Sequence, residues 1–280
     1  MTITTTDHII QTGAPDAVRA RVYRSDGSER AAPLVMHLHG GAFVGGSLDD
    51  GAPIAGLLAE AGAVVVSIDY PLAPQKIFPG ALQTAFRVLA HLSKNRAAFA
   101  AKSSKLYVAG EEAGGNLAAA LALMARDQQA PPLAGQILLS PMLDACLATS
   151  SVREADAGAG GCRWADGWQS YLGSADKASH PYAAPIGASR LAEVAPALVL
   201  TAEDDPMRDE SLQYADHLEQ CGVAVTRDVI AGPTGWPCAL YGCGDLTAPW
   251  VDETRRQFTS FFAETAARRT ASSSLQPVQA

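Results

Sequence analysis

The stretch that decides the fold is Leu-Val-Met-His-Leu-His-Gly-Gly-Ala-Phe-Val-Gly-Gly, at residues 34–46. Residues 34–38 are largely apolar, which is typical of a strand covered on both faces of a parallel sheet. Glycines that directly follow such a strand allow backbone N–H groups to point into a binding site, where side chains would obstruct them. Amides held in this way stabilise a developing oxyanion. We therefore expect Gly40 and Gly41 to form an oxyanion hole.

Similar apolar runs alternate with helical stretches along most of the chain. This alternation predicts an α/β fold: a mostly parallel, doubly wound sheet with helices on both faces. The first two strands are expected to form an antiparallel hairpin at one edge. The predicted strands are residues 3–10, 17–23, 34–38, 63–68, 105–109, 136–140, 197–201 and 223–230. The predicted helices are residues 51–61, 80–92, 113–126 and 207–221.

The composition excludes several classes of protein. The chain has 280 residues, of which 48% are apolar and 18% are charged, and its formal net charge is −8. The apolar share argues against a mainly disordered chain, and the negative charge argues against a nucleic-acid surface. The sequence contains neither an apolar run of membrane-spanning length nor a signal-peptide pattern, so we expect a soluble, cytoplasmic protein without a membrane partner.

The periodic pattern predicts one domain, from residue 1 to residue 267. It is interrupted at residues 141–196, where Gly158, Trp164, Trp168 and Tyr171 lie among prolines without strand periodicity. An insertion of this length is more often functional than a bare loop, so we interpret it as a small cap over the sheet. Residues 268–280 are expected to be a disordered tail.

Two further segments follow predicted strands and carry polar groups. Residues 110–116 read Gly-Glu-Glu-Ala-Gly-Gly-Asn and open a helix of small residues. This is the setting of a nucleophile elbow, a strained turn that exposes one side chain above the sheet. That side chain is expected to be Glu112, with Glu111 directed away from the site. Residues 203–210 place several acids beyond another strand.

Together these segments resemble the hormone-sensitive-lipase group of α/β-hydrolases, which are relatives of bacterial carboxylesterases. The matching blocks are H-G-G at residues 39–41, D-Y-x-L-A-P at 69–74, G-x-x-x-G-G-N at 110–116 and D-P-M-R-D-E at 205–210. The resemblance implies an α/β-hydrolase fold whose oxyanion hole uses the amides of Gly40, Gly41 and Ala113. No counterpart of the family's long N-terminal cap helices is recognisable, so we expect a more open or remodelled site.

Two of the three triad positions depart from the family. The elbow carries Glu112 where the family has serine, and the short motif after the last long strand places Gly235 where the family has histidine. No histidine follows His217 in the sequence. Asp205 matches the family's acid. Ordinary ester hydrolysis is therefore expected to be lost, because a serine and the deacylating water both need the histidine as base.

Glu112 leaves several functions open. The hypothesis favoured by the sequence is a non-hydrolytic enzyme of the cyclase, isomerase or lyase type, acting on a small apolar carbonyl compound. Glu112 is then a general acid or base, with Asp205 near it, and the hole stabilises an enolate. The alternatives are an inactive pseudoenzyme that binds a ligand or serves as a scaffold, and a residual carboxylesterase. An enclosed cavity at Glu112 favours an enzyme, and a filled site favours a scaffold.

The remaining predictions concern the surroundings of the site. His39 is expected to hold the glycine loop, while Phe43, Trp164 and Trp236 are candidates for the wall of a small-molecule site, although packing a cap also needs aromatic residues. No cofactor is implied, because the glycine-rich stretches match neither a phosphate loop nor a dinucleotide fingerprint. No metal is implied, because no third ligand accompanies the histidines. An edge strand from Val223 to Ile230 predicts a possible homodimer.

Overall fold

The computed structural model describes residues 2–13, 17–27, 31–155, 161–242 and 246–267. Within these ranges the chain forms one eight-stranded sheet, eight α-helices and three short 3₁₀ helices. The strands are β1 Ile3–Ile10, β2 Val18–Ser25, β3 Leu34–Leu38, β4 Val64–Ile68, β5 Leu106–Glu111, β6 Gly135–Leu139, β7 Ala197–Ala202 and β8 Val225–Ile230. The helices are α1 Ala52–Glu60, α2 Gly80–Lys94, α3 Arg96–Phe99, α4 Ala113–Asp127, α5 Ser150–Ala155, α6 Gly161–Leu172, α7 Arg208–Gln220 and α8 Pro249–Ala267.

The sheet is mostly parallel, as the apolar runs predict. Its strand order is β1-β2-β4-β3-β5-β6-β7-β8. The β1–β2 and β2–β4 pairs are antiparallel, and all the other pairs are parallel. Strands β3 and β5 are direct neighbours, with Leu38 paired to Gly110. The loop after β3 and the turn after β5 therefore meet at the same edge of the sheet, and β6 separates β5 from β7.

Both faces of the sheet are covered by helices, which explains why the central strands are mostly apolar and are buried throughout. Helices α2, α4 and α7 pack on one face, together with residues of the 141–196 insertion. Helices α1 and α8 pack on the other face. The sequence patterns did not predict α8, although Trp250, Val251, Thr254, Phe258 and Phe261 recur at helical spacing and are all buried.

The insertion between β6 and β7 holds helices rather than a bare loop. It contains α5, α6 and two 3₁₀ helices, Ala175–Ser179 and Pro185–Gly187. Trp164, Trp168 and Tyr171 of α6 are buried. The predicted tail at residues 268–280 lies outside the described residues. In the described ranges, every helix is too short or too polar to cross a bilayer.

Candidate active site

Glu112 occupies a strained turn between β5 and α4. Its backbone φ is 51° and its ψ is −116°, a conformation that costs energy for any residue other than glycine. The helix that follows lies very close to β3, because a Cβ atom on Gly114 would come within 2.0 Å of the Leu38 carbonyl oxygen. Glycine is therefore required at position 114. The turn places the Glu112 side chain at the centre of the sheet edge, where it is fully buried.

The Glu112 carboxylate accepts hydrogen bonds from four N–H donors. Oε2 accepts one from the backbone amide of Gly41 and a second, at 2.7 Å, from the amide of Ala42. Oε1 accepts one from the indole Nε1 of Trp164 at 2.9 Å and a longer one from the Arg163 guanidinium at 3.4 Å. All four partners are donors only, an arrangement that suits an ionised carboxylate.

The glycine loop presents its amides to two neighbouring carboxylates. Gly41, Ala42 and Phe43 all have positive φ values, of 124°, 51° and 64°. The amides of Gly41 and Ala42 point at Glu112, whereas the amide of Gly40 donates to Oε1 of Glu111 at 3.0 Å. The two amides that a substrate oxyanion would need are therefore occupied by the protein's own carboxylate.

The Glu112 carboxylate contacts only one of the three amides expected to form the hole, that of Gly41. Gly40 and Ala113 were expected beside Gly41. In the described residues neither Glu111 nor Glu112 accepts a hydrogen bond from the Ala113 amide, and Gly40 serves Glu111 instead. The second donor is Ala42, which follows H-G-G directly and could have been found from that position.

Glu111 lies behind the loop, directed away from Glu112 as its place in the elbow suggests. Its Oε2 is 2.7 Å from Nε2 of His37, and Nδ1 of His37 is 2.9 Å from the Ser67 hydroxyl. All three side chains are fully buried. This buried chain fixes the Gly40 amide and explains His37 as a structural residue. Within the described residues, no three potential ligand side chains are grouped so that they could hold a metal ion.

His39 contacts the glycine loop and not the Glu112 carboxylate. Its Nδ1–H donates to the Gly40 carbonyl at 2.7 Å, and its ring stacks on Tyr70 with 4.4 Å between ring centroids. Burial lowers the pKa of His39 below its usual value of 6.5, against the opposing effect of the Gly40 carbonyl. Nε2 is buried without a hydrogen-bond partner in the described part of the chain.

Asp205 makes its hydrogen bonds to residues other than Glu112. Its carboxylate accepts hydrogen bonds from Ser140, at the end of β6, from Thr201 of β7 and from the Met207 amide, at 2.8, 2.6 and 2.9 Å. Burial raises the pKa of Asp205 to about 6, although these three hydrogen bonds act to lower it. The acid is thus held by neutral partners at the position after β7.

The loop at Gly235 is organised by Asp204 rather than by Asp205. The Gly235 amide donates to Asp204 at 2.9 Å, and Thr234 donates to the same carboxylate. Gly235 has a φ of 73°, a conformation that side-chain-bearing residues rarely adopt. Trp236 packs edge-on against Trp250 in the core beneath α1 and α8, so it is not part of a wall around Glu112.

The space beside Glu112 is filled by side chains. Tyr241 approaches the glycine loop so closely that a Cβ on Gly40 would lie 3.1 Å from its ring. The Arg163 guanidinium lies 5.4 Å from the centre of that ring and donates to its hydroxyl. Phe43 stacks on Tyr171 at 4.0 Å, and both are buried. Arg163 and Tyr241 carried no signal in the sequence that marked them as partners of Glu112.

Comparison with known proteins identifies the family. A family model described as the alpha/beta hydrolase fold matches residues 35–234. The chain belongs to this family. The match includes residues 35–38 of β3, the elbow and the loop after β7, and with the sheet topology it confirms the α/β-hydrolase fold that the motifs imply.

Several relatives are named as esterases. The chain is 37% identical over 199 residues to a carboxylesterase of Mycobacterium tuberculosis. This alignment covers 69% of this chain and 62% of that protein. It is 36% identical over 223 residues to an ethyl acetate hydrolase of Pseudomonas putida, covering 76% and 69%. A solved thermostable esterase from Pseudomonas putida superimposes with a TM-score of 0.80 at 31% identity, covering 92% of this chain and 81% of that one.

Proposed function

We propose that this α/β-hydrolase is a residual carboxylesterase: it binds small acyl esters and hydrolyses them slowly. The filled space beside Glu112 favours the alternative of a scaffold, but the names of the relatives support an esterase and this substrate class. The observation that carries the proposal is the position of the Glu112 carboxylate on the amides of Gly41 and Ala42. An ester carbonyl competes with this internal carboxylate for the same two donors, and removing even one such donor from an oxyanion hole costs about 10²–10³ in kcat.

The chemistry left to the site involves no acyl-enzyme. When the Glu112 side chain leaves the hole, the ester carbonyl oxygen accepts hydrogen bonds from the two freed amides. A water molecule then attacks the carbonyl carbon, and one of its protons passes through the solvent to the leaving alcohol as the tetrahedral intermediate collapses, so catalysis comes from the hole and from binding alone. Without the covalent intermediate the missing histidine is not required, but the rate is limited by the rare release of a well-bonded carboxylate.

The non-hydrolytic acid/base hypothesis receives less support from this geometry. A proton-transfer catalyst must exchange protons with its ligand, yet both Glu112 oxygens already have N–H partners. The same amides would have to hold an enolate. The non-hydrolytic hypothesis requires a ligand that displaces Arg163 and Trp164 from Oε1 of Glu112.

The proposal is tested with 4-nitrophenyl acetate and three proteins: wild type, Glu112→Ala and Glu112→Gln. Alanine empties the hole, so we expect its kcat/KM to exceed that of wild type by about tenfold or more. Glutamine keeps the length of the side chain and an acceptor oxygen, so it serves as the matched control and should remain as slow as wild type. A tenfold fall in both variants would instead identify Glu112 as a catalyst, and no hydrolysis by any of the three would identify a binding protein or scaffold.

A further inference from the structure

The guanidinium of Arg163 lies between the buried Glu112 carboxylate and the surface. The Arg163 side chain is 43% exposed, whereas that of Glu112 is fully buried. One terminal nitrogen, Nη2, donates both to Oε1 of Glu112 and to the hydroxyl of Tyr241. The guanidinium carbon lies over the Tyr241 ring, 5.4 Å from its centre. Arg163 is therefore part of the Glu112 site and is also accessible to a ligand that arrives from solvent.

Much of the hydrogen-bonding capacity of this guanidinium is unused. An arginine carries five N–H donors, and a full pair with a carboxylate uses two parallel hydrogen bonds of about 2.7–2.9 Å. The contact with Glu112 is single and long, at 3.4 Å. Nε and Nη1 have no acceptor among the residues that the structure describes, and no second acid there pairs with Arg163. The cation can therefore bind another carboxylate without losing a strong partner.

The guanidinium is also close to the two amides that an ester carbonyl would use. Oε2 of Glu112 accepts hydrogen bonds from the amides of Gly41 and Ala42. Oε1 of the same carboxyl group accepts one from Arg163, so a single carboxyl group connects the hole to the cation. A substrate that replaces this carboxyl group has the same distance to cover. Its ester carbonyl and its anionic group must therefore be only a few bonds apart.

We propose that Arg163 is a specificity-determining residue that binds a carboxylate of the substrate, so that the site prefers half-esters of short dicarboxylic acids. This inference rests on the proposed ester hydrolysis and adds the substrate class. The ester carbonyl accepts hydrogen bonds from Gly41 and Ala42, while the free carboxylate forms a bidentate pair with Arg163. The same carboxylate repels the negative charge of Glu112, which favours the release of Glu112 from the hole.

The first test compares two esters of equal size. Monomethyl succinate carries a free carboxylate, and methyl 4-oxopentanoate has a methyl ketone in place of that carboxylate. Water converts either ester to its acid and methanol, so the release of methanol gives kcat/KM for both. We expect wild type to prefer monomethyl succinate by about tenfold, because hydrogen bonds between charged partners are stronger than neutral ones.

Three variants separate recognition by Arg163 from general effects of charge. Arg163→Met should abolish the preference, and Arg163→Lys should retain part of it, because lysine keeps the charge but not the planar fork. Arg256→Met removes the same charge from an exposed arginine of α8 and should keep the wild-type ratio of the two esters. The ratio is the readout because losing Arg163 also loosens Glu112 and changes both rates. A preference that survives in Arg163→Met would overturn the proposal.

A binding measurement distinguishes failure of this inference from failure of the proposed hydrolysis. Succinamate and 4-oxopentanamide have the shapes of the two esters, but amides are cleaved far more slowly. The Nε–H resonance of Arg163, identified by its absence in Arg163→Met, should shift with succinamate and not with 4-oxopentanamide. A shift without hydrolysis of either ester would support the carboxylate site and refute the esterase. Equal hydrolysis of both esters without a shift would overturn the inference and leave the esterase proposal intact.

Discussion

The Glu112 carboxylate accepts a hydrogen bond of 2.7 Å from the backbone N–H of Ala42, which lies seventy residues earlier in the chain. In an esterase this amide would be available to the oxyanion of the substrate. Here a negatively charged oxygen of the protein already occupies that position, with the Gly41 amide on the same atom. A single side chain thus stands at the elbow and also accepts both loop amides.

Arg163 should stabilise the fold through its ion pair with the buried Glu112 carboxylate. Arg163→Met retains the apolar part of the side chain but removes the cation 3.4 Å from Glu112. The Arg163 side chain is 43% exposed, so water replaces part of the interaction and we expect a loss of about 1–2 kcal/mol in the free energy of unfolding. Urea denaturation measures this.

The matched control removes an arginine from an exposed pair. Arg256 lies 2.5 Å from Glu253 with 71% of its side chain exposed. Arg256→Met should change the free energy of unfolding by less than about 0.5 kcal/mol. If the two substitutions had equal effects, the ion pair at Glu112 would contribute no more than a surface pair.

The buried Asp205 should make stability depend on pH. Its pKa in the folded protein, about 6, lies above the ordinary value of 3.8, because burial disfavours the charged form. The folded state therefore binds this proton more tightly than the unfolded state. The contribution of Asp205 to the free energy of unfolding is most favourable below pH 3.8. It falls by roughly 3 kcal/mol as the pH rises to about 6.

Asp205→Asn removes this ionisation while retaining a side chain that can accept hydrogen bonds. The free energy of unfolding of the variant relative to wild type should therefore increase between pH 4 and pH 7. Asp204 provides a control of opposite sign: burial raises its pKa, but hydrogen bonds from Gly235 and Thr234 outweigh this and hold it below the usual value. Asp204→Asn should lose stability relative to wild type as the pH rises. Parallel profiles for the two variants would contradict the assignment.

The contact between α6 and the glycine loop should tolerate no side chain at position 167. Gly167→Ala places a Cβ 2.3 Å from the Ala42 carbonyl oxygen, which as a backbone atom can move little. We expect a loss of about 1–3 kcal/mol from overpacking. Gly56 of α1 is the matched helical control, since its Cβ would meet only Ile3 at 3.9 Å.

Gly56→Ala should be neutral or stabilising by up to about 1 kcal/mol, because alanine loses less backbone entropy in a helix. Thermal unfolding of the two variants gives the comparison. If Gly167→Ala were as stable as Gly56→Ala, α6 would not be in close contact with the glycine loop at position 167.

Much of this fold could be predicted because the relevant signals are local. The apolar run at residues 34–38 coincides with β3, and the predicted helix at 113–126 differs from α4 by one residue at its end. The strand at Val223 to Ile230 begins two residues later, at Val225. Strand bounds shift in this way because pairing with the neighbouring strand, and not the apolar pattern alone, decides where a strand ends.

The arrangement at the site could not be predicted, because it depends on contacts between distant segments. H-G-G indicates amides that point inward, but not which acid they meet. Strands β3 and β5 lie side by side. As a result the Gly40 amide donates to Glu111 and the Ala42 amide donates to Glu112. Arg163 joins the site only because the insertion folds α6 over the glycine loop.

The most direct test is the amide spectrum of the glycine loop in wild type and in Glu112→Ala. Hydrogen bonds to a carboxylate are short and strong, so the Gly41 and Ala42 amide protons should resonate downfield and exchange slowly in wild type. In the variant both should move upfield and exchange faster, while the Gly40 amide, bonded to Glu111, should stay in place. Unchanged Gly41 and Ala42 resonances would show that the hole is not occupied by Glu112.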